Sequence, residues 1–98
     1  MFVILTSRPG QFRTEPGEGL RIQETYEYSF HGETKARFVI AELQNEVKVR
    51  VIDETPPERI NNVPSKFLEH FATIDAARAR LRSLVSFGGL DTALNKLA

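Results

Sequence analysis

Between residues 20 and 53, large side chains alternate with polar ones, and this pattern constrains the fold more than any other feature of the sequence. A period of two residues is typical of a strand with one face on a core and the other in water. The large residues of the three runs are Tyr26, Tyr28, Phe30, Phe38, Ile40, Val47, Val49 and Val51. The sequence therefore predicts a three-stranded antiparallel meander over residues 20–53.

The faces of these strands also predict their register. A three-residue loop of Gly32, Glu33 and Thr34 keeps apolar residues opposite one another, whereas a two-residue turn at Gly32 and Glu33 would bring Lys35 into the apolar face. The predicted pairs of the first hairpin are Phe30 with Ala36, Tyr28 with Phe38 and Tyr26 with Ile40. A loop over residues 43–46 would complete the second hairpin, with its predicted pairs Ile40 with Val49 and Phe38 with Val51.

The segment before the meander is predicted to hold one more strand and a long loop. Phe2–Ser7 is a short run rich in Val and Ile that stops at Arg8, Pro9 and Gly10, so we expect a buried strand, the fourth of the sheet. Residues 8–19 contain two Pro-Gly pairs, and Phe12 is their only large apolar residue. This composition predicts a loop, and loops of this length are often functional.

The segment after the meander is predicted to leave the sheet. Pro56 and Pro57 lack backbone donors and favour an extended connection. Helical spacing then predicts a turn or two after Ser65, a candidate cap, with inward-facing residues Phe67, Leu68 and Phe71.

The clearest helix of the sequence follows. Thr73 is its predicted N-cap, Asp75 lies near the positive end of the helix dipole, and Gly88 or Gly89 ends it. Its apolar stripe consists of Ile74, Ala77, Leu81, Leu84 and Val85. Residues 90–98 combine helical spacing with a length that also suits a closing edge strand, and we favour helix.

Length and composition place these elements in one small domain. The 98 residues, 41% of them hydrophobic, can bury a single core. Strands first and helix last predict an α+β fold over residues 1–98: an antiparallel sheet of about four strands with one face covered by a C-terminal helix. No segment resembles a signal peptide or has the roughly 18 apolar residues of a membrane span. We therefore expect a cytoplasmic protein with no membrane partner.

Charge and cysteine content exclude several functional classes. The 13 basic and 13 acidic residues balance, so no overall charge attracts nucleic acid or anionic lipid. The sequence contains no cysteine, which excludes disulfides, thiolate metal sites and thiolate-held iron–sulfur clusters. We expect no cofactor and no bound metal.

Two pairs of titratable residues have the chemistry of a site, but their setting favours structural roles. His31 and His70 have no second ligand at a metal-binding spacing. Glu24 and Glu42 would face each other across the first hairpin, where solvent and Arg21 relieve their repulsion. We therefore predict no catalytic residue.

Nucleic-acid contacts could come from a basic helix or from tyrosines. On a helix Arg78 and Arg82 share a face while Arg80 points away, so the three charges do not form one cluster. Tyr26 and Tyr28 could stack bases from an open sheet, yet they lie on the face that the helix is expected to cover. Nucleic-acid binding is therefore disfavoured.

The loop over residues 8–19 contains the predicted partner-binding residues Arg8, Phe12 and Arg13. Phe12 has no obvious neighbour in sequence to pack with, so it either anchors the loop to the core or contacts a partner. In the second case Arg8 and Arg13 would supply a charged rim around an aromatic anchor.

The segments MFVILTSRPG, KARFVIAEL and VPSKFL, at residues 1–10, 35–43 and 63–68, are similar to segments of a group of short bacterial proteins. Some of those proteins carry the label ferredoxin. No motif of the group has an assigned function, so the resemblance transfers no residue role. Because this chain lacks cysteine, the resemblance implies an accessory of a redox system rather than an iron–sulfur carrier.

These features together favour a protein-interaction or accessory module, which needs only a stable sheet, an accessible loop and strand edges. Three alternatives stay open: an accessory component of a redox or oxygenase system, a small enzyme with a site between subunits, and a weak nucleic-acid binder. The expected partner is a protein.

Overall fold

Two antiparallel sheets and one helix form the part of the chain that the computed structural model describes, residues 1–85 and 92–97. The elements are β1 (Phe2–Ser7), β2 (Phe12–Glu15), β3 (Leu20–Phe30), β4 (Glu33–Leu43), β5 (Lys48–Asp53), β6 (Ile60–Pro64), a 3₁₀ turn (Ser65–Phe67), α1 (Ile74–Val85) and β7 (Thr92–Leu97). The strand orders are β1-β4-β3-β7 in the first sheet and β2-β5-β6 in the second. The predicted α+β class, with a four-stranded antiparallel sheet, is confirmed.

The hairpin of β3 and β4 turns more tightly than predicted. His31 and Gly32 both have positive φ, 51° and 77°, which is the geometry of a two-residue type I′ turn whose twist matches the flanking strands. The predicted loop at residues 32–34 is therefore wrong, and the register is shifted by two residues, with Tyr28 opposite Ala36 and Tyr26 opposite Phe38. Because the shift is even, both tyrosines keep their predicted face.

The third run of the predicted meander belongs to the other sheet, so the predicted second hairpin is wrong. Ile40 of β4 lies opposite Ile4 of β1, whereas Val49 of β5 lies opposite Val63 of β6. Strand β4 carries buried residues on both faces and pairs with β1, whose side chains are also apolar on both faces. In β5 the exposed residues Lys48 and Arg50 alternate with valines that are buried or half-buried. This pattern suits a sheet with one face in water.

Residues 8–19 were predicted to be a loop, and this prediction is wrong for their centre. Phe12–Glu15 forms β2, which pairs with β5. A hydrogen bond from the Thr14 backbone N–H to the Ser7 hydroxyl, 2.8 Å long, also ties β2 to β1. A four-residue strand with one large apolar residue is too short to show a period of two.

The core lies in two clusters, one on each face of the first sheet. On one face α1 contributes Ala77 and Leu81 to a cluster with Ala36, Phe38 and Ile40. On the other face, residues of β1 and β4 pack against Val49 of the second sheet. The prediction that Phe38 and Ile40 are core is confirmed, with exposures of 8% and 0%, and Tyr28 packs against the same cluster.

The N-terminus of α1 agrees with its prediction. The Thr73 hydroxyl accepts a 3.1 Å hydrogen bond from the Ala76 N–H, which confirms Thr73 as the N-cap. The predicted stop at Gly88 or Gly89 lies outside the described residues. Within the described residues, no helix has the length and apolar character needed to cross a membrane.

The C-terminal segment was predicted to be helical, and this prediction is wrong. Thr92–Leu97 forms β7, which pairs antiparallel with β3, with Leu94 opposite Tyr28. Strand β3 would otherwise be an edge of the first sheet, and pairing with β7 satisfies its backbone groups.

The connection from β5 to α1 leaves the second sheet at a cis Pro56–Pro57 bond and returns as β6. In the 3₁₀ turn after β6, Ser65 provides no side-chain cap, contrary to the prediction. Phe67 was predicted to face inward but is 72% exposed. Leu68 and Phe71 do pack against the two core clusters, as predicted.

Candidate functional site

A groove opens at one end of the first sheet, where β3 turns into β4 and where α1 ends. Its volume is about 670 Å³, within the range of pockets that hold a ligand or several side chains. The lining residues come from β1 and the turn after it, from both strands of the central hairpin, and from the end of α1: Thr6, Arg8, Gln11, Tyr28, Phe30, Lys35, Ala36, Phe38, Leu84 and Val85.

Arg8 reaches the groove from a tight turn between β1 and β2. The backbones of Arg8 and Phe12 exchange hydrogen bonds of 2.8 and 3.0 Å. Gly10 has a positive φ of 83°, which favours glycine at this position. Glu54 accepts a 3.2 Å hydrogen bond from the Gly10 N–H. A hydrogen-bonded turn therefore presents the Arg8 side chain.

A β-bulge directs Lys35 into the groove. Lys35 is the extra residue of β4, between Thr34 and Ala36, which both have partners on β3. A bulge locally changes the strand twist and re-aims a side chain. Lys35 lines the groove, and Arg37 at the next odd position is not among the lining residues. The Lys35 ammonium lies 2.9 Å from the Glu33 carboxylate, in a pair that is in contact with water.

The apolar part of the groove has a buried floor and exposed borders. Phe38 is 8% exposed and belongs to the core, whereas Phe30 and Leu84 are 38% and 45% exposed. The Phe30 ring makes an edge contact with His31, with ring centroids 4.0 Å apart, which restrains its orientation. The groove therefore presents apolar surface to solvent.

The structure separates the three predicted partner-binding residues. Arg8 lines the groove. Arg13 points to acidic neighbours instead, 3.7 Å from Glu15 and 3.5 Å from Glu54. Phe12 is half-buried on β2. A partner contact by Arg8, Phe12 or Arg13 stays a prediction, and Phe12 and Arg13 are not among the residues that line the groove.

A buried carboxylate lies towards the other end of β3. Glu24 lies two residues before Tyr26 on β3 and therefore on the same helix side of the sheet, where its side chain is 6% exposed. Arg78 of α1 binds both carboxylate oxygens at 2.8 and 2.7 Å. Lys96 of β7 forms an ion pair of 2.9 Å, and the Tyr26 hydroxyl donates a hydrogen bond of 2.9 Å. We call these four side chains the Glu24 cluster.

The Glu24 cluster favours the charged form of its carboxyl group. The Arg78 guanidinium, against the effect of burial and with help from Lys96 and Tyr26, holds the pKa of Glu24 far below its usual range. Burial and the neighbouring carboxylate raise the pKa of Tyr26. A carboxylate that stays ionised and fully bound ties β3 to α1 and β7, and it does not have the pKa of a general acid or base.

The predicted pair of Glu24 with Glu42 is wrong. Glu42 lies opposite Arg21, and Glu24 lies opposite Ile40. The register shift of two residues accounts for the difference, because it moves the position opposite Glu24 from Glu42 to Ile40 and leaves Glu24 on the same face as Tyr26.

Two of the three arginines of α1 form ion pairs within the chain. Arg78 binds Asp75 at 2.8 Å in addition to Glu24, and Arg80 lies 3.5 Å from Glu69. These ion pairs reduce the positive charge that phosphate contacts would need.

Ser65, Glu46 and His70 meet beside the 3₁₀ turn, but not in a catalytic order. The fully buried Ser65 hydroxyl donates to Glu46 at 2.7 Å and accepts from the Val47 N–H at 2.8 Å. His70 Nε2 lies 3.8 Å from Glu46. A nucleophilic serine needs its hydroxyl exposed and hydrogen-bonded to a base that can take its proton, and here the hydroxyl is buried between structural partners.

Comparisons with known proteins identify no relative. No protein-family model, curated protein or solved structure matches this chain. Among residues 1–85 and 92–97, no group of three or more His, Cys, Asp or Glu side chains could hold a metal ion. The groove is therefore the candidate site.

Sequence reasoning found Arg8 but missed Lys35, Phe30 and Leu84 as groove residues. The predicted register placed Phe30 within the apolar face, and helical spacing placed Leu84 in the buried stripe of α1. The sequence signal that could have found Lys35 is the His31-Gly32 pair, because a two-residue turn there leaves an extra residue on β4.

Proposed function

We propose that this chain is a protein-interaction module and that the groove binds a segment of another protein in the cytoplasm. The observation that carries this proposal is the exposed apolar border of the groove. Phe30 and Leu84 leave 38% and 45% of their surface in water beside a concave, partly aromatic floor. Apolar surface around a concavity is typical of protein-binding sites.

The shape of the apolar surface favours a protein segment over a small molecule. A small ligand would fill the concavity and bury most of its own surface there. In this groove two apolar lining residues, Phe30 and Leu84, are 38% and 45% exposed. A protein segment that passes through the groove covers both borders, and burying an exposed aromatic side chain is a large contribution to protein–protein affinity.

Affinity capture from a native lysate tests this proposal. The immobilised wild-type chain is compared with a Phe30→Ser, Leu84→Ser double variant and with a matched control, Ile60→Ser. Ile60 is 49% exposed on β6 and does not line the groove. Captured proteins are identified by mass spectrometry, purified and titrated against each variant, and thermal melts verify that the variants are folded.

The expected result is a partner that binds the wild-type and Ile60→Ser chains and loses affinity for the double variant by roughly tenfold or more. Equal binding of that partner to all three folded chains would remove the groove from the function. Capture of no protein by the wild-type chain would likewise reject a protein-interaction role.

A further inference from the structure

Two cations, Arg8 and Lys35, border the groove, and Arg8 differs in its surroundings from the ion-paired arginines described above. Arg78, Arg80 and Arg13 each lie within ion-pair distance of carboxylates of the chain. Within residues 1–85 and 92–97, no carboxylate lies at that distance from Arg8. The Arg8 guanidinium is thus available to a partner.

Lys35 is also available to bind a carboxylate of a partner, although it forms an ion pair within the chain. Its pair with Glu33 has side-chain exposures of 48% and 75%, and exposed pairs of this kind contribute little free energy. Exchange of Glu33 for a carboxylate of a bound segment would therefore meet little resistance. Burial of that carboxylate beside an aromatic floor would strengthen the new pair, because the local dielectric constant falls.

We infer, on the basis of the proposed protein-binding role, that the partner segment is acidic and carries an aromatic or large aliphatic anchor between its carboxylates. The anchor side chain lies among Tyr28, Phe30 and Phe38. The flanking carboxylates bind Arg8 and Lys35. An arginine beside aromatic residues is the combination that is enriched in protein-binding hot spots.

Because the chain as a whole carries no net charge, the attraction of an acidic segment is confined to the groove. The 13 basic and 13 acidic residues cancel, so steering of the partner comes from the two cations at the groove rather than from a net charge. Salt therefore weakens binding, since the approaching charges are screened over a Debye length.

Fluorescence anisotropy with synthetic peptides tests the inference. The probe is a short fluorescein-labelled peptide with one phenylalanine flanked by glutamates. Its two counterparts replace the glutamates by glutamines or the phenylalanine by alanine. Each peptide is titrated at low and high salt with the wild-type chain, with an Arg8→Ala, Lys35→Ala double variant and with Arg37→Ala. Arg37 is the matched control because it lies on β4 near Lys35, is exposed and does not line the groove.

We expect the acidic phenylalanine peptide to bind the wild-type and Arg37→Ala chains alike. The double variant, the glutamine peptide and the alanine peptide should each lose roughly tenfold or more in affinity, as the loss of a charge-assisted contact or of an anchor predicts. High salt should weaken only the binding of the peptides that contain glutamate.

Equal affinity for the acidic and glutamine peptides would overturn the inference, and so would the absence of peptide binding at millimolar concentration. The captured partner separates this failure from that of the proposed function. A partner that loses affinity for the Phe30→Ser, Leu84→Ser variant but not for the Arg8→Ala, Lys35→Ala variant would leave the groove as a protein-binding site and reject its preference for acidic segments.

Discussion

The Glu24 cluster and the groove lie towards opposite ends of β3 on the helix side of the first sheet, and both combine charged groups with tyrosines. In the Glu24 cluster the side chain of Glu24 is 6% exposed, and its carboxylate is bound by Arg78, Lys96 and Tyr26. In the groove, Arg8 is exposed and Lys35 has one solvated partner. The same kinds of side chain thus serve stability where their bonds are complete and are available for the proposed binding where they are not.

The β3–β4 ladder positions the side chains of the two regions differently. Glu24 reaches the helix side by regular alternation with Tyr26, whereas Lys35 reaches the groove through a bulge. Bulges are enriched beside functional sites because one extra residue re-aims a side chain without breaking the strand. The hairpin therefore positions its structural tie by regular strand geometry and its candidate binding residue by an irregularity.

The largest expected effect comes from Phe38, which is both core and groove floor. Phe38→Ala should reduce the free energy of unfolding by about 3 to 5 kcal/mol, because it leaves a cavity between α1 and the first sheet. Urea unfolding monitored by circular dichroism measures the change. A loss below about 1 kcal/mol would mean that Phe38 belongs to the binding surface rather than to the core.

The next effect separates the two regions directly. Glu24→Ala should reduce the free energy of unfolding by about 2 to 3 kcal/mol, because it leaves Arg78 and Lys96 without their shared carboxylate. This range is below that of a fully buried pair, since both cations keep contact with water. Glu33→Ala is the matched control from the groove, and it should barely move the unfolding midpoint. Equal effects of the two variants would contradict the distinction between the regions.

Acid should remove the contribution of the Glu24 cluster. The pKa of Glu24 is lowered on folding, so its stabilising effect is complete above the unfolded value of about 4.3 and declines as the pH falls below it, by up to about 1.4 kcal/mol per pH unit. Urea unfolding of the wild-type and Glu24→Gln chains between neutral pH and pH 2 measures this effect. The stability gap between them should narrow only on the acid side; a gap that is independent of pH would show that the carboxylate charge contributes nothing.

The smallest effect on stability is expected in the groove. Arg8→Ala together with Lys35→Ala should leave the thermal midpoint within experimental error of the wild type, because neither side chain has a buried partner within the described residues. Differential scanning fluorimetry is sufficient for this measurement. A clear fall in the midpoint would mean that these cations support the fold, and the contrast with the Glu24 cluster would then be lost.

The sequence predicted the elements whose signals are local. The strand at Phe2–Ser7, the faces of Tyr28 and Phe38 and the N-cap at Thr73 all follow from residues close to one another in the chain. It did not predict which strands pair. The valines of β5 have the period of a strand, but that period carries no information on whether β4 or β6 is the neighbour.

The candidate site was predictable only in part for the same reason. Arg8 was predicted as part of a charged rim around Phe12, in a segment that its two Pro-Gly pairs marked as a loop. Lys35 has the same charge but belongs to a strand, and strict alternation placed it on the other face. Phe30 and Leu84 were interpreted as core. Apolar periodicity indicates which face of a strand or helix a residue lies on, but it does not indicate which part of that face other elements cover.

By itself, the sequence determined the α+β class, the existence of the central hairpin and the absence of cysteine chemistry. The hydrophobic period and the turn residues are local signals that span a few residues, and composition does not depend on the fold at all. Only the tertiary structure decided the division into two sheets, the strand at Thr92–Leu97, the burial of Glu24 and the opening of the groove. These features depend on contacts between residues far apart in the chain, and the position of Lys35 depends on one extra residue in the β3–β4 ladder. Such contacts form, and the backbone groups involved find their partners, only when the chain folds.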